Sequence, residues 1–354
     1  MSIIRVATLV LTLSILLEAS TAISGGVWFN YRYVQDNVAD TKTVGDMADE
    51  ALVFYVDHNK EDSPWSLSAE MRMGPGSFTD PENNSTKDYF TLHKLWVNYK
   101  ASESLNIKVG KSQVPFGWKT SNFWPGDMFQ AGYGDQMDVG VKASGDMGAL
   151  HYNLAYYHAD DWGETSTDTV DDNKHWGSST SYRKIKTVVA DLSYDIAQGH
   201  NIGIAAQAGV LQDLGNDTTD VSGYHYSGIG YYKGKIDALS IKAEGFYTDR
   251  RLPDTYLANG GSGLETNIKS IRGALELGYT LDEWYIYLDS TWAKSLTTAN
   301  NVGLISAYAP GVRYSYGPGW IYLEYLTQNG WMDRNSETNS GDFNALYLSI
   351  DYYF

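Results

Sequence analysis

The chain contains no cysteine. That excludes disulfides, cysteine-based zinc sites and covalently attached c-type haem, each of which needs a thiol. Basic residues are few, 26 Lys and Arg against 43 Asp and Glu, for a formal net charge of −17. Nucleic-acid binding depends on clustered cations that displace phosphate counterions, so no nucleic-acid partner is expected. Past the first 22 residues, no segment approaches the ~20 consecutive apolar residues of a spanning helix. The seven histidines never stand at His-x-x-x-His or His-Glu-x-x-His spacing; His151 and His158 flank one candidate strand but suggest no third ligand. There is no Gly-x-Ser-x-Gly elbow. The acidic stretch Asp160, Asp161, Glu164, Asp168, Asp171 and Asp172 lacks the alternation and turn glycine of a calcium loop. The expectation is a protein with no metal, no cofactor and no catalysis.

Aromatic residues, by contrast, are abundant: 28 Tyr, 11 Trp and 10 Phe, with 35 Gly. Mean hydropathy is nevertheless negative. A transmembrane β-barrel reconciles the two, because lipid-facing and water-facing residues alternate along each strand. A membrane protein without spanning helices has to be a closed barrel, since every backbone polar group in lipid needs a partner.

Both ends of the chain agree with a membrane destination. Residues 1–22 have the form of a secretory signal, with Arg5 in the n-region, the apolar run Val6–Leu17, and Ser20-Thr21-Ala22 before a cleavage point after Ala22. The remaining residues, 23–354, form one unit. At the other end, Leu346, Leu348, Ile350, Tyr352 and Phe354 fall on one face at period two, with Tyr347, Ser349, Asp351 and Tyr353 on the other. This resembles the terminal strand of bacterial outer-membrane proteins, where a last Phe serves as the assembly signal; the resemblance gives that role to Phe354.

Alternating segments recur between these ends. Sixteen candidate strands lie near 25–34, 50–57, 65–73, 88–101, 104–110, 138–145, 149–159, 183–195, 200–212, 222–234, 236–249, 268–280, 283–294, 304–316, 319–327 and 344–354. Their connections alternate long and short, as in barrels with long outer loops and short periplasmic turns. The fold class is all-β, an antiparallel up-and-down barrel of about 16 strands; 14 or 18 fit the same pattern. Trp284, Ile286, Leu288 and Trp292 oppose Tyr285, Tyr287, Asp289 and Thr291. Lys or Arg facing lipid at the midplane costs about 2–4 kcal/mol, so the charged set faces the lumen. Sixteen strands enclose an aqueous channel rather than a packed core. Trp28, Trp65, Tyr152, Tyr156, Tyr157, Tyr194, Tyr279, Trp284, Trp320 and Tyr352 are expected in aromatic girdles at the interfaces.

The third long connection is the most distinctive. Pro115, Gly117, Pro125, Gly126, Gly132 and Gly134 break pairing, while Phe116, Trp118, Phe123, Trp124 and Phe129 are too apolar for a loop in water. They suggest a loop folded onto a wall. Val109-Gly110-Lys111 and Pro115-Phe116-Gly117 resemble the strand-end motif of the phosphate-selective porin O/P family. The overall layout resembles the trimeric general porins, whose third loop folds inward and narrows the channel. The resemblance implies a homotrimer of sixteen-stranded pores in the bacterial outer membrane, with lipid and lipopolysaccharide around it. No ladder of arginines is present, which argues against phosphate selectivity.

Inward positions of the first six candidate strands include Arg32, Arg72, Lys94, Lys100, Lys108 and Lys142, with Glu70 as the main exception. The third loop carries Lys111, Lys119, Asp127 and Asp135. A loop lying across the lumen would set its carboxylates against this basic wall and create a transverse field. The expected function is passive diffusion of small hydrophilic solutes or ions. Two rivals remain: a barrel that sheathes a partner protein, such as an electron-transfer conduit, and a hydrolase at the barrel rim.

Overall fold

Side chains that alternate between oil and water demand a sheet with one face toward each, and such a sheet has no stable edge in lipid unless it closes. The computed structural model describes residues 21–35, 44–77, 81, 88–126, 128–130, 136–160, 182–259, 266–298, 300–332 and 336–354. Sixteen strands follow one another: β1 (Thr21–Val34), β2 (Asp46–Asn59), β3 (Trp65–Met73), β4 (Phe90–Ser102), β5 (Leu105–Gln113), β6 (Met137–Met147), β7 (Leu150–Ala159) and β8 (Tyr182–Ala197) form the first half. The second half consists of β9 (His200–Asp213), β10 (Gly223–Ile236), β11 (Leu239–Arg251), β12 (Asn267–Leu281), β13 (Trp284–Ser295), β14 (Ile305–Ser315), β15 (Trp320–Met332) and β16 (Thr338–Tyr353). Each strand pairs antiparallel with its sequence neighbours, and β1 pairs with β16 to close the barrel. A short helix, α1 (Asp254–Asn259), sits between β11 and β12. Among the described residues no helix is long and apolar enough to cross a membrane.

The closing seam joins like face to like. Val27, Phe29, Tyr31 and Tyr33 of β1 stand opposite Tyr352, Ile350, Leu348 and Leu346 of β16. Phe354 forms the last rung, exchanging main-chain hydrogen bonds with Gly25 at 2.9 and 3.0 Å. The two faces are sharply distinguished along β13, where Leu288 is 40% exposed and its neighbour Asp289 is fully buried. Long and short connections alternate. Asp237 and Asp282, both with φ of 50°, occupy two of the short turns, where the left-handed conformation matches strand twist.

Three expectations need correction. Strands β15 and β16 pair as far as Met332 and Thr338, so most of the connection expected over 328–343 is strand. Its polar residues resemble a loop in sequence, yet Thr338, Asn339 and Ser340 pair with Met332, Trp331 and Gly330, past a bulge between Gln328 and Gly330. β1 likewise begins at Thr21, earlier than expected. Trp28, Tyr157 and Trp320 are not girdle residues. Trp28 and Tyr157 are buried on the inward face, and Trp320 shares the inward parity of Tyr322 and Glu324. Residues 1–20, which hold most of the expected signal segment, lie outside the described residues.

Candidate functional site

The chain leaves the barrel wall at the end of β5. Gly110 has φ of +120°, and a Cβ there would meet the Leu95 carbonyl oxygen at 2.3 Å. Only glycine accommodates this bend without strain. Lys111, expected in the loop, lies within β5 and is buried. Beyond Gln113, Val114, Phe116 and Trp118 are buried together with Ala155 and Tyr157 of β7, Val189 of β8, Ala205 of β9, Ile229 and Tyr231 of β10, Phe246 of β11 and Ala274 of β12. All of these strand residues are on the buried face of the wall. The third loop therefore runs along the inner surface and satisfies its apolar side chains there. Gly117, with φ of +83°, turns the chain where a Cβ would meet Ile229 at 3.0 Å and Glu244 at 3.2 Å.

Four wall carboxylates then take hold of the loop. Glu244 on β11 accepts the Trp118 N–H at 3.4 Å. Glu276 on β12 accepts the Ser121 N–H at 2.7 Å and its hydroxyl at 2.6 Å. Asp289 on β13 accepts from the Asn122 side-chain amide at 2.6 Å. Glu324 on β15 accepts the N–H groups of Phe123 and Trp124 at 2.7 and 3.1 Å, and the Tyr287 hydroxyl at 2.5 Å. All four are at most 8% exposed. A carboxylate buried to this degree persists only if its oxygens are hydrogen-bonded. The unpaired main-chain N–H groups of an irregular segment supply those bonds, and charge on the acceptor makes them strong. Lys242 adds a cation: Nζ lies 3.0 Å from Glu276 and donates to the Lys119 carbonyl at 2.9 Å. Farther along, Phe123 stacks on Tyr322 at 5.0 Å and meets Trp28 edge-on at 6.0 Å. Arg272 donates to the Phe129 carbonyl at 3.2 Å.

The opposite wall, β3–β6, is basic. Lys108 and Lys142 stand directly across from each other on β5 and β6. Lys108 lies over the Trp96 ring at 3.9 Å, Lys94 over Tyr55 at 5.8 Å, and Lys142 donates to the Gln113 carbonyl at 2.8 Å. Arg72 pairs with Glu70 at 2.7 Å. His93 is buried beside a bulge in the β3–β4 pairing, with Arg72, Lys94, Lys111 and Lys119 all close enough to act on it electrostatically. Lys119 is exposed on the loop. Arg32 is exposed on β1, and Lys100 sits at the turn end of β4, paired with Glu103 at 2.9 Å, away from the loop. Pro115 lies on the loop between Val114 and Phe116 and lines a cavity of about 600 Å³ together with Gln113, Lys142, Asn153, Asp191 and Lys233. Asp127 and Asp135 lie outside the described residues.

Sequence reading missed the four carboxylates that carry the loop. Their inward parity was legible for Glu276 and Asp289, but their partners lie 126 to 201 positions away, where no local pattern reports them. No group of three or more His, Asp or Glu side chains that could hold a metal occurs among the described residues.

The sixteen-strand barrel has structural counterparts. The outer-membrane protein OmpT of Vibrio cholerae, in a trimer form, superposes with a TM-score of 0.63 over 94% of this chain and 99% of its own, at 12% identity. The outer-membrane channel DcaP of Acinetobacter baumannii gives 0.62 over 94% and 97%, at 13% identity. A porin structure gives 0.52 over 94% and 100%, at 10% identity. The fold is that of the outer-membrane porins. Identities this low carry the porin fold and nothing finer. No family model and no curated protein matches the chain.

Proposed function

We propose that this chain is an outer-membrane porin, through which small hydrophilic solutes or ions diffuse passively, without catalysis or a bound cofactor. The observation that carries the reading is the pinning of the third loop to β11–β15 by Glu244, Glu276, Asp289 and Glu324. A loop held to one side of a sixteen-strand barrel narrows the lumen and leaves water along the other wall. The diameter argument supports the same conclusion, because a barrel of this size cannot fill itself with side chains alone. In this reading Pro115, Phe116, Gly117, Lys119, Asp127 and Asp135 belong to the constriction segment, with Lys111 on β5 at its foot. Arg72, Lys94, Lys108 and Lys142 line the facing wall, with Arg32 on β1 and Lys100 at the turn end of β4 farther from the loop. Residues 1–22 act as the signal and Phe354 as the assembly signal. The porin assembles as a homotrimer among outer-membrane lipids and lipopolysaccharide, an assembly supported by the trimer form of the V. cholerae protein.

Planar-bilayer recording of the purified mature chain tests the function. Stepwise conductance increments that grow with salt concentration are expected; an inert barrel would overturn it. Light scattering of the detergent complex tests the trimer, and N-terminal sequencing of the exported protein tests removal of residues 1–22.

A further inference from the structure

At the start of the third loop, the cavity of about 600 Å³ carries both signs of charge. Lys142 on β6 and Lys233 on β10 are its ammonium groups, and Asp191 and Asp195 on β8 are its carboxylates. Each is engaged, but not with its opposite. Asp191 accepts the Tyr231 hydroxyl at 2.8 Å and the Asn153 side-chain amide at 3.1 Å. Asp195 meets His151 at 2.9 Å and accepts the Asn201 side-chain amide at 2.9 Å, with Asp146 on the other ring nitrogen of His151. Lys142 donates to the Gln113 carbonyl at 2.8 Å, and Lys233 lies over the Tyr231 ring at 5.3 Å. Lys233 is close enough to act electrostatically on both aspartates. Among the described residues, however, no ion pair joins either lysine to either aspartate. Two positive and two negative groups therefore face one cavity without neutralising each other by contact.

We propose that this cavity is a subsite for small zwitterions, amino acids and short peptides above all, with the solute ammonium at Asp191 and the solute carboxylate at Lys233 and Lys142. This rests on the porin reading above and adds the class of solute. Hydrogen-bonding capacity is left on both sides. An ammonium has three donors; Lys142 uses one on Gln113, and Lys233 makes only the ring contact. A carboxylate offers about four acceptor sites, of which Asp191 uses two. A solute bearing both charges satisfies both groups at once. An ion of either sign meets one attraction and one repulsion. Tyr231, Asn153 and Gln113 hold Asp191 and Lys142 in place beforehand, so binding costs little further ordering. The volume is in the range that suits a small molecule. Gln113, Pro115 and Gly117 line the same cavity, so a solute passing the loop meets the subsite.

The test is the single-channel current of the full-length mature protein in a planar bilayer at about pH 6, where amines are cationic and carboxyls anionic. Three solutes are compared. Alanine carries both charges, propionate lacks the ammonium, and alaninamide lacks the carboxylate. Alanine should reduce the current reversibly, with a half-effect concentration about fivefold below either analogue, the scale of one ion contact in water. Asp191→Asn should abolish the advantage over propionate and keep that over alaninamide. Lys142→Gln/Lys233→Gln should do the reverse. Equal effects of the three solutes, or no effect of alanine, on a channel that conducts overturn the inference and leave the pore reading standing. So does an advantage that neither variant moves. Should a variant fail to insert, the comparison of the three solutes on the unaltered protein decides. Absence of conductance in that protein would remove the pore reading and this inference with it.

Discussion

Glu324 on β15 and Phe123 on the third loop are 201 positions apart, yet the carboxylate accepts the Phe123 main-chain N–H at 2.7 Å. A second oxygen of the same group accepts the Trp124 N–H at 3.1 Å. This pair holds the middle of the loop against β15. Glu324→Ala leaves three donors unpaired, the Phe123 and Trp124 N–H groups and the Tyr287 hydroxyl, and weakens docking by about 2–3 kcal/mol, the scale of lost hydrogen bonds to a charged group. Single-channel conductance should rise, with added open-channel noise. Glu324→Gln should fall between, since its amide oxygen replaces one acceptor and its NH2 opposes the other N–H. Unchanged conductance in both variants would mean the loop is held elsewhere.

Gly110 governs the near end of the same loop. Its φ of +120° and the 2.3 Å approach of the Leu95 carbonyl oxygen to any Cβ leave no room for a side chain. Gly110→Val should destabilise the barrel by at least about 2 kcal/mol, combining backbone strain with loss of β4–β5 pairing. The folded fraction, read from heat-modifiable gel mobility after refolding into detergent, should fall sharply. Wild-type folding yield in this variant would show that the bend can relax.

Leu288 and Asp289 are neighbours with opposite solvents. Leu288→Arg places a cation in lipid and should cost about 2–4 kcal/mol if the residue sits near the midplane. Urea unfolding of vesicle-inserted protein measures this directly. A shift below about 0.5 kcal/mol would contradict the assignment of the outward face to lipid.

Outside the membrane, a polar clasp joins the loop after β9 to α1. The Thr255 N–H donates to Asp220 at 2.8 Å, and the Thr255 hydroxyl lies 2.7 Å from Asp220 and 2.5 Å from Asp213. One hydroxyl proton serves two carboxylates, so the other donors matter. Burial pushes the Asp220 carboxyl up, but hydrogen bonds from Ser222 and Thr255 outweigh it and hold the group well below the ordinary carboxylate range. A depressed folded-state pKa contributes stability above the unfolded value near ~3.9 and loses it as pH falls through the folded value. Amide-exchange protection at Thr255 should therefore stay constant from pH 7 to about 4 and decline only in strong acid. Asp220→Asn should lose it at pH 7. Loss of wild-type protection already near pH 5–6 would show that another group controls the clasp.

Much of the barrel was legible because period two is a local property. Leu346, Leu348, Ile350 and Tyr352 announce their face without reference to any partner, and the seam with Val27, Phe29, Tyr31 and Tyr33 follows from it. The strand extensions at Asn329–Met332 and Thr338–Asp342 were not legible, because pairing continues there without apolar alternation. Trp28 and Tyr157 deceived for a related reason: an aromatic ring suits a girdle and an inward loop contact equally well, and parity alone separates them. The apolar content of Phe116, Trp118 and Phe123 showed that the third loop needed a wall, but not which one.

The sequence by itself determined a closed sheet of about sixteen strands and its two faces. These follow from alternation and from the cost of unpaired backbone in lipid, both readable within a few residues. Only the tertiary structure decided that the loop lies against β11–β15 and that four carboxylates hold it there. Those outcomes depend on contacts between residues more than a hundred positions apart, and such contacts exist only once the sheet has closed.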